Sequence, residues 1–339
     1  MSAPTFDEAL DAGYDDPAEE PRRRGTVWSR GLVLAVLQLL IAAALYLHAQ
    51  LPDALGIGSL VESVLPWLGA LAVLLLLLGL ARRSVTATLA FLVPAAAWGW
   101  MFWPRVAELF TEADPPRSDV VVVQHNASDT NRDVAGTAGV LLAASPDVVT
   151  LDEVDAALAG QYTRAFGDAL PYHATRGTVG VWSAHPLRDV QDVDLRPAAF
   201  GPGWERGMRA TVVPRKGDPG VTVYAVHLPS TRVGPGGYDV AARNESIGKL
   251  ADVLRADGSD AVVVAGDLNA AVEDRALDPV TALVSGPQDG FGLTFPAAFP
   301  MVPIDHVLAR GAEVTAVEIL GRTGSDHLPV AAHVDLPWS

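Results

Sequence analysis

Residues 31 to 47 (GLVLAVLQLLIAAALYL), 65 to 81 (LPWLGALAVLLLLLGLA) and 85 to 103 (VTATLAFLVPAAAWGWMFW) contain no charged side chain. Each approaches the ~20 helical residues that cross a hydrocarbon core about 30 Å thick. Three such stretches in succession predict three transmembrane helices rather than buried helices of a water-soluble core. No Ala-x-Ala pattern follows the first to mark it as a cleaved leader. The composition agrees with a chain that is part membrane and part soluble, at 50% hydrophobic yet 19% charged.

Positive charge predicts the orientation. Arg22, Arg23, Arg24 and Arg30 precede the first stretch and Arg82 and Arg83 fill the second connection, whereas residues 48 to 64 have neither Lys nor Arg. The N-terminus is therefore expected inside, and everything after Trp103 outside. Trp98, Trp100 and Trp103 suit an interfacial aromatic belt. Residues 1–30, acidic and Pro-containing at their start, read as a disordered cytoplasmic tail.

The remainder divides into a linker, 104–117, with Pro104, Pro115 and Pro116, and one domain, 118–339. At roughly 3.3 Å per residue the linker reaches no further than about 45 Å, which keeps the domain near the bilayer. The domain carries 16 Lys/Arg against 28 Asp/Glu, and Lys216 and Lys249 are its two lysines. That balance argues against a protein that grips nucleic acid through its phosphates. The absence of cysteine excludes a disulfide scaffold, a thiolate metal site and a Cys nucleophile.

Short β-branched runs in this domain end in polar residues. The segments 119–126 (DVVVVQHN), 147–153 (DVVTLDE), 221–228 (VTVYAVHL) and 261–269 (AVVVAGDLN) predict strands delivering Asn126, Glu153, His227, Asp267 and Asn269 at their C-terminal ends. The segments 304–308 and 327–334 place Asp305, Asp326 and His327 near strand starts, and helices are expected over 133–144, 155–167 and 239–256. The pattern is α/β.

Taken singly, each of these polar residues is an ordinary turn or surface residue. Taken together they suit a hard divalent cation. Oxygen ligands without Cys or clustered His favour Mg²⁺, Mn²⁺ or Ca²⁺ over Zn²⁺. Glu153 is the first candidate ligand. Asp267 can orient and deprotonate an attacking water, and Asn269, at the same turn, can position a phosphate oxygen. His327, bonded to Asp305, would stay cationic and stabilise charge on a transferring phosphoryl group. Hydrolysis of a phosphate ester or anhydride uses this combination.

Asn126, LDE (Leu151 to Glu153), HL (His227 and Leu228), GDLNA (Gly266 to Ala270), IDHV (Ile304 to Val307) and SDHLPV (Ser325 to Val330) resemble, in order, the motifs of the endonuclease/exonuclease/phosphatase superfamily, which includes DNase I and neutral sphingomyelinases. The resemblance covers residues 118 to 336. It implies a DNase I-like four-layer αββα sandwich and a metal-dependent hydrolase using Mg²⁺ or Mn²⁺. Glu153 would bind the metal with Asn126 supporting it and Asp326 as a second metal-side carboxylate. His227 would be a general acid or phosphate contact, Asp267 and Asn269 the water-orienting pair, and Asp305 with His327 the carboxylate–histidine dyad. Asp152 stands where the family usually has Gln, which would add negative charge beside the metal.

Three spans followed by such a domain also resemble the membrane-bound VanJ-type proteins linked to teicoplanin resistance. That likeness implies dephosphorylation of undecaprenyl pyrophosphate at the outer leaflet, with the bilayer as partner, nucleic acid disfavoured and no protein partner predicted. Arg206, Arg209, Arg232 and Arg243 are candidate phosphate contacts, each equally readable as a solvated or ion-paired arginine. Two alternatives stand beside this reading: a surface-tethered nuclease or sphingomyelinase-like phosphodiesterase with the same metal site, and a non-catalytic binding or immunity module.

Overall fold

The computed structural model describes residues 31–107, 118–287 and 290–338. The expected cytoplasmic tail and most of the expected linker lie outside the described residues. In chain order the strands are β1 (Val120–Asn126), β2 (Val148–Asp152), β3 (Tyr172–Arg176), β4 (Val179–Ser183), β5 (Leu187–Asp192), β6 (Gly207–Val212), β7 (Val221–His227), β8 (Arg232–Gly234), β9 (Gly237–Asp239), β10 (Val262–Asp267), β11 (Asp305–Arg310), β12 (Glu313–Ile319) and β13 (Val330–Asp335). They form a six-stranded mixed sheet ordered β12-β13-β1-β2-β4-β3, a five-stranded mixed sheet ordered β11-β10-β7-β6-β5, and the small hairpin β8-β9.

The two large sheets pack face to face through Val122, Val148, Val181, Val223, Val263 and Ala332, all buried. The central parallel pair of the second sheet, β7 and β10, is buried on each face, as its largely apolar runs require. Helices α6 (Val134–Ala143) and α7 (Ala156–Phe166) cover the outer face of the first sheet through Leu141, Leu158, Tyr162 and Phe166. Helix α8 (Ala241–Ala256) covers the second through Ile247, Leu250 and Leu254, at helical spacing. Each such fully buried Leu or Ile contributes roughly 1.5–3 kcal/mol. The outcome is a four-layer αββα sandwich. Asp133 and Asp155 cap α6 and α7, accepting hydrogen bonds from Gly136 N and from Ala157 N and Leu158 N.

Before the sandwich lie α1 (Leu32–Leu47), α2 (Ile57–Ser63), α3 (Leu65–Ala81), α4 (Val85–Ala90) and α5 (Leu92–Ala107). Among the described residues two helices are long and apolar enough to cross a membrane, Leu32–Gln50 and Val85–Ala107, where the three uncharged stretches predict three. The middle stretch is one short helix bent away from the segment before it: Ala54–Ser63 and Leu65–Ala81 meet at 74° and make a third span only if the bent pair counts as one. Pro66 explains the break. It sits in the first turn of α3, where its missing N–H costs nothing, and Val64 before it leaves helical geometry (φ −118°, ψ 13°). The 17 residues of α3 are about 25 Å long, short of a full hydrocarbon core.

The first residues of the expected linker continue the helix. Pro104 and Arg105 still belong to α5, and Arg105 is ion-paired with Glu273 of the sandwich. Residues 53–67 and 98–105 together grip three loops at one end of the domain. Gly56 and Leu55 back onto Tyr238 and Gly237 of the hairpin, so closely that a Cβ at Gly56 would come within 2.1 Å of the Tyr238 carbonyl. Glu62 meets Arg275 at 3.4 Å. Trp67 Nε1 donates to the Met301 carbonyl at 2.8 Å, and Trp98 and Phe102 pack on Phe291. Arg82 and Arg83 lie at the opposite end of the helices, where Ser84 packs beside Gly31.

Candidate active site

The register of the five-stranded sheet sets three side chains abreast, because Asp267 pairs with Asp305 on β11 and with His227 on β7. Neighbouring strands lie about 4.8 Å apart, so the row spans roughly 10 Å. Gly266 is what lets the strands close up: a Cβ there would meet the Val226 carbonyl at 1.8 Å. From the facing sheet, β1 and β2 end side by side at Asn126 and Asp152. Asn126 Nδ2 donates to Asp267 Oδ2 at 3.1 Å, and Asp267 N donates to Asp152 Oδ2 at 2.9 Å. These bonds staple the two sheets together under the site.

Asp267 Oδ1 accepts the Asn269 backbone N–H at 2.9 Å, while Asn269 Nδ2 donates to the Leu228 carbonyl at 3.0 Å. His327 Nδ1 lies 2.8 Å from Asp305 Oδ2, with its Nε2 3.8 Å from Asp267 Oδ2. His227 Nε2 stands 3.7 Å from Asp267 Oδ2 and 3.8 Å from Glu153 Oε1. Asn126, His227, Asp267, Asn269, Asp305 and His327 are all buried, whereas the Glu153 side chain is 31% exposed. Glu153 and Asn269 both take left-handed backbone, at φ 58° and 50°. Such a conformation at a Glu costs of order 1–3 kcal/mol, which the surrounding hydrogen bonds offset.

The charge states follow from burial and neighbours. Desolvation, helped by the Asp305 charge, raises Asp267 to about 7. Burial alone would lower His327, but the charge and hydrogen bond of Asp305, with Asp267 and Asp326, outweigh it and push it up to about 10. His327 is therefore an imidazolium at neutral pH. His227 goes the other way, held well below its ordinary value by burial, by the Arg206 charge and by His327, and is neutral.

Several expectations are corrected. Asp152 is fully buried, and desolvation first, then the Asp267 and Asp305 charges, raise it well above the ordinary carboxylate range, which works against a charge there. It takes Gln124 Nε2 and Asp267 N as donors, a role an amide would fill equally well. Arg243 offers nothing to a phosphate, since its side chain is wholly buried and committed to Asp274 at 2.7 Å and to the Asn269 carbonyl at 3.1 Å. Arg209 is occupied by Asp257 at 2.8 Å, beside Tyr224. Arg232 stands exposed on β8. Arg206 touches the site directly, with Nη1 3.1 Å from His227 Nδ1 and its guanidinium over the Trp204 ring.

Asp267, Asp305 and His327 bring ligand atoms within 4.8 Å of one another. Within it His327 Nδ1 is already taken by Asp305 Oδ2 at 2.8 Å, which makes these two a carboxylate–histidine dyad beside Asp267. The donor set that fits a hard cation lies on the other flank of Asp267, where Glu153 Oε1 and Asp267 Oδ2 both border His227 Nε2. Asn126 is engaged on both sides, by Asp267 and by the Ser128 N–H, and so supports Asp267. Asp326 is exposed at the rim beside His327. When bound there, a divalent cation would supply positive charge against phosphate oxygens and favour an ionised Asp267.

The model of the Endonuclease/Exonuclease/phosphatase family matches residues 94–327, from the third apolar stretch to His327. The chain belongs to that family. Membership places it among phosphoester hydrolases, the class its motifs predict. Among solved structures, an endonuclease/exonuclease/phosphatase from Bacteroides vulgatus shares the fold at 15% identity and a TM-score of 0.52, over 64% of this chain and 98% of that one. A doubly substituted beta toxin from Staphylococcus aureus with bound magnesium ions is similar at 15% identity and 0.50, over 64% and 99%. No curated protein matches in sequence.

Two supports of the site are invisible in the motifs. Ser325 Oγ donates to the Asn126 carbonyl at 2.7 Å and accepts the His327 N–H at 3.0 Å, bolting the His327 loop to the end of β1. Its place in SDH marks a turn but not this bridge. His125 is buried, lowered to about 3 by desolvation, and bonds Thr323 Oγ1 at 3.1 Å in the same loop.

Proposed function

We propose that this protein is a membrane-anchored, Mg²⁺-dependent phosphohydrolase of the VanJ type that removes the terminal phosphate of a lipid-linked pyrophosphate, undecaprenyl pyrophosphate, at the outer leaflet. The observation that carries this reading is which end of the sandwich faces the apolar helices. His227, Asp267 and Asp305 lie at the same end as the loops held by residues 53–67 and 98–105. A nuclease acting on dissolved polymer gains nothing from pressing its site against a bilayer. A lipid-bound headgroup can reach a site nowhere else.

Orientation supports the same reading. With the Arg82 and Arg83 end cytoplasmic, the Arg-free connection 48–64 and the catalytic end share the outer side. Trp100 and Trp103 then project from α5 at the level of the outer interface, 91% and 63% exposed. In the reaction, water adds to the terminal phosphorus as the phosphoanhydride bond breaks, giving lipid monophosphate and inorganic phosphate. Asp267 takes the proton of the attacking water. Asn269 and Arg206 hold phosphate oxygens, and cationic His327 stabilises charge on the transferring group. Glu153 and Asp267 would hold the cation.

The test is an assay of the purified full chain with Mg²⁺ on undecaprenyl pyrophosphate, plasmid DNA and sphingomyelin in parallel. Phosphate release from the first alone is expected, and its loss in EDTA. Cleavage of sphingomyelin or DNA with none of the pyrophosphate would replace this reading by the phosphodiesterase or the nuclease. Inactivity on all three would leave the binding module.

A further inference from the structure

We infer that α2, the short helix between the first two apolar stretches, is part of the support of the catalytic turn, with Ser59 a positioning residue for Asn269. The inference rests on the assignment of Asn269 to phosphate contact. The turn from Asp267 to Asp274 leaves β10, passes through left-handed Asn269, and ends on two buried charges. Asp274 and Arg243 lie 2.7 Å apart with side chains fully sequestered. A buried ion pair holds a defined geometry only when its remaining donors and acceptors are also met. Arg243 donates from Nε and Nη2 to Asn244 Oδ1 and from Nη1 to the Asn269 carbonyl. Asp274 Oδ1 accepts the Ala276 N–H at 3.0 Å, and α2 adds to both partners: Ser59 Oγ accepts from Arg243 Nη2 at 3.1 Å and donates to Asp274 Oδ1 at 3.1 Å.

Ser59 is itself fixed. Its backbone N–H donates to Asp53 Oδ1 at 3.1 Å. One helical turn on, Glu62 of α2 accepts the Arg275 N–H at 3.2 Å, while Arg275 Nη1 donates to the Ala49 carbonyl at 2.6 Å. Arg275 packs directly over Gly58, where a Cβ would fall 1.8 Å from its Nη2 and displace the guanidinium. The path from the membrane segment to the site is thus α2, Ser59, the Arg243–Asp274 pair, and the Asn269 carbonyl. Through it the placement of the helices is transmitted to the residue that orients the phosphate. The domain's catalytic turn is completed by a segment from the other side of the first apolar helix.

The experiment compares full-length wild type, Ser59→Ala, Ser59→Thr and Ser63→Ala in detergent with Mg²⁺. Ser63 is a control on the same helix whose hydroxyl bonds only the Ser59 carbonyl. Amide hydrogen exchange is read over residues 268–276 and over β7 and β10, and kcat and KM are read for phosphate release from the lipid pyrophosphate. Ser59→Ala is expected to speed exchange in 268–276 about fivefold while β7 and β10 keep their protection. It should lower kcat about tenfold at unchanged KM. Ser59→Thr should restore both, and Ser63→Ala should change neither. Wild-type exchange in 268–276 for Ser59→Ala would overturn the inference. So would faster exchange spread equally over the strands, which marks a merely structural role. If the wild type releases no phosphate, the functional reading fails, and the exchange comparison still decides the positioning role.

Discussion

Asp267 and His327 lie 3.8 Å apart and are pushed up by different causes, the first by burial and the second by Asp305. A carboxylate near 7 must give up a proton before it holds a cation. Mg²⁺ affinity, measured by titration calorimetry, should therefore weaken about tenfold per pH unit below 7 and level off above it. Asp267→Ala and His327→Ala should each lower kcat by about a thousandfold while thermal melting stays cooperative, and near-normal turnover in either would reject the roles assigned. Asp152 calls for the opposite outcome. It is raised by burial, which works against a charge there, and its contribution to stability, full at low pH, is lost as pH rises through its folded value. Asp152→Asn should keep turnover within about threefold and gain stability on wild type as pH is raised, as read by denaturation midpoints at two pH values. A collapse of activity in that variant would show that the ionised form is the one in use.

At the scale of elements, strand register turns separate motifs into a site. One residue of slip between β7 and β10 would move His227 out of the row with Asp267 and turn it to the other face of the sheet. The polar residues at the C-terminal ends of β1, β7 and β10 were legible because an apolar strand followed by a polar residue is visible in the sequence alone. The break at Val64 and Pro66 is hidden from a hydropathy pattern, which counts residues and does not register a bend. The helices also make a testable statement about sidedness. The chain has no cysteine, so single-cysteine variants report cleanly. Asp53→Cys should react with a membrane-impermeant maleimide in intact cells and Arg83→Cys only after permeabilisation, and the reverse pattern would place the site in the cytosol.

For the whole molecule, the decisive relation is between the sandwich and the helices before it. The family, the α/β layering and the residues that could carry phosphoester chemistry were all readable from the order of six motifs and three apolar runs, because those properties are local: composition, periodicity and turn chemistry act over a few residues. What the tertiary structure decided concerns partners far apart in the chain. Ser59 meets Arg243 across 184 positions and Asp274 across 215, and no periodicity links residues at such distances. Arg243 looked like a phosphate contact until packing closed over it, and Asp152 looked like a charge until burial raised it. A sequence names ionisable groups but not their solvent, and desolvation sets whether a group is charged, exposed or committed to a neighbour. The motifs therefore determined which side chains are available for chemistry. The packing of two sheets against each other and against the apolar helices decided their charge, their partners and the direction the site faces.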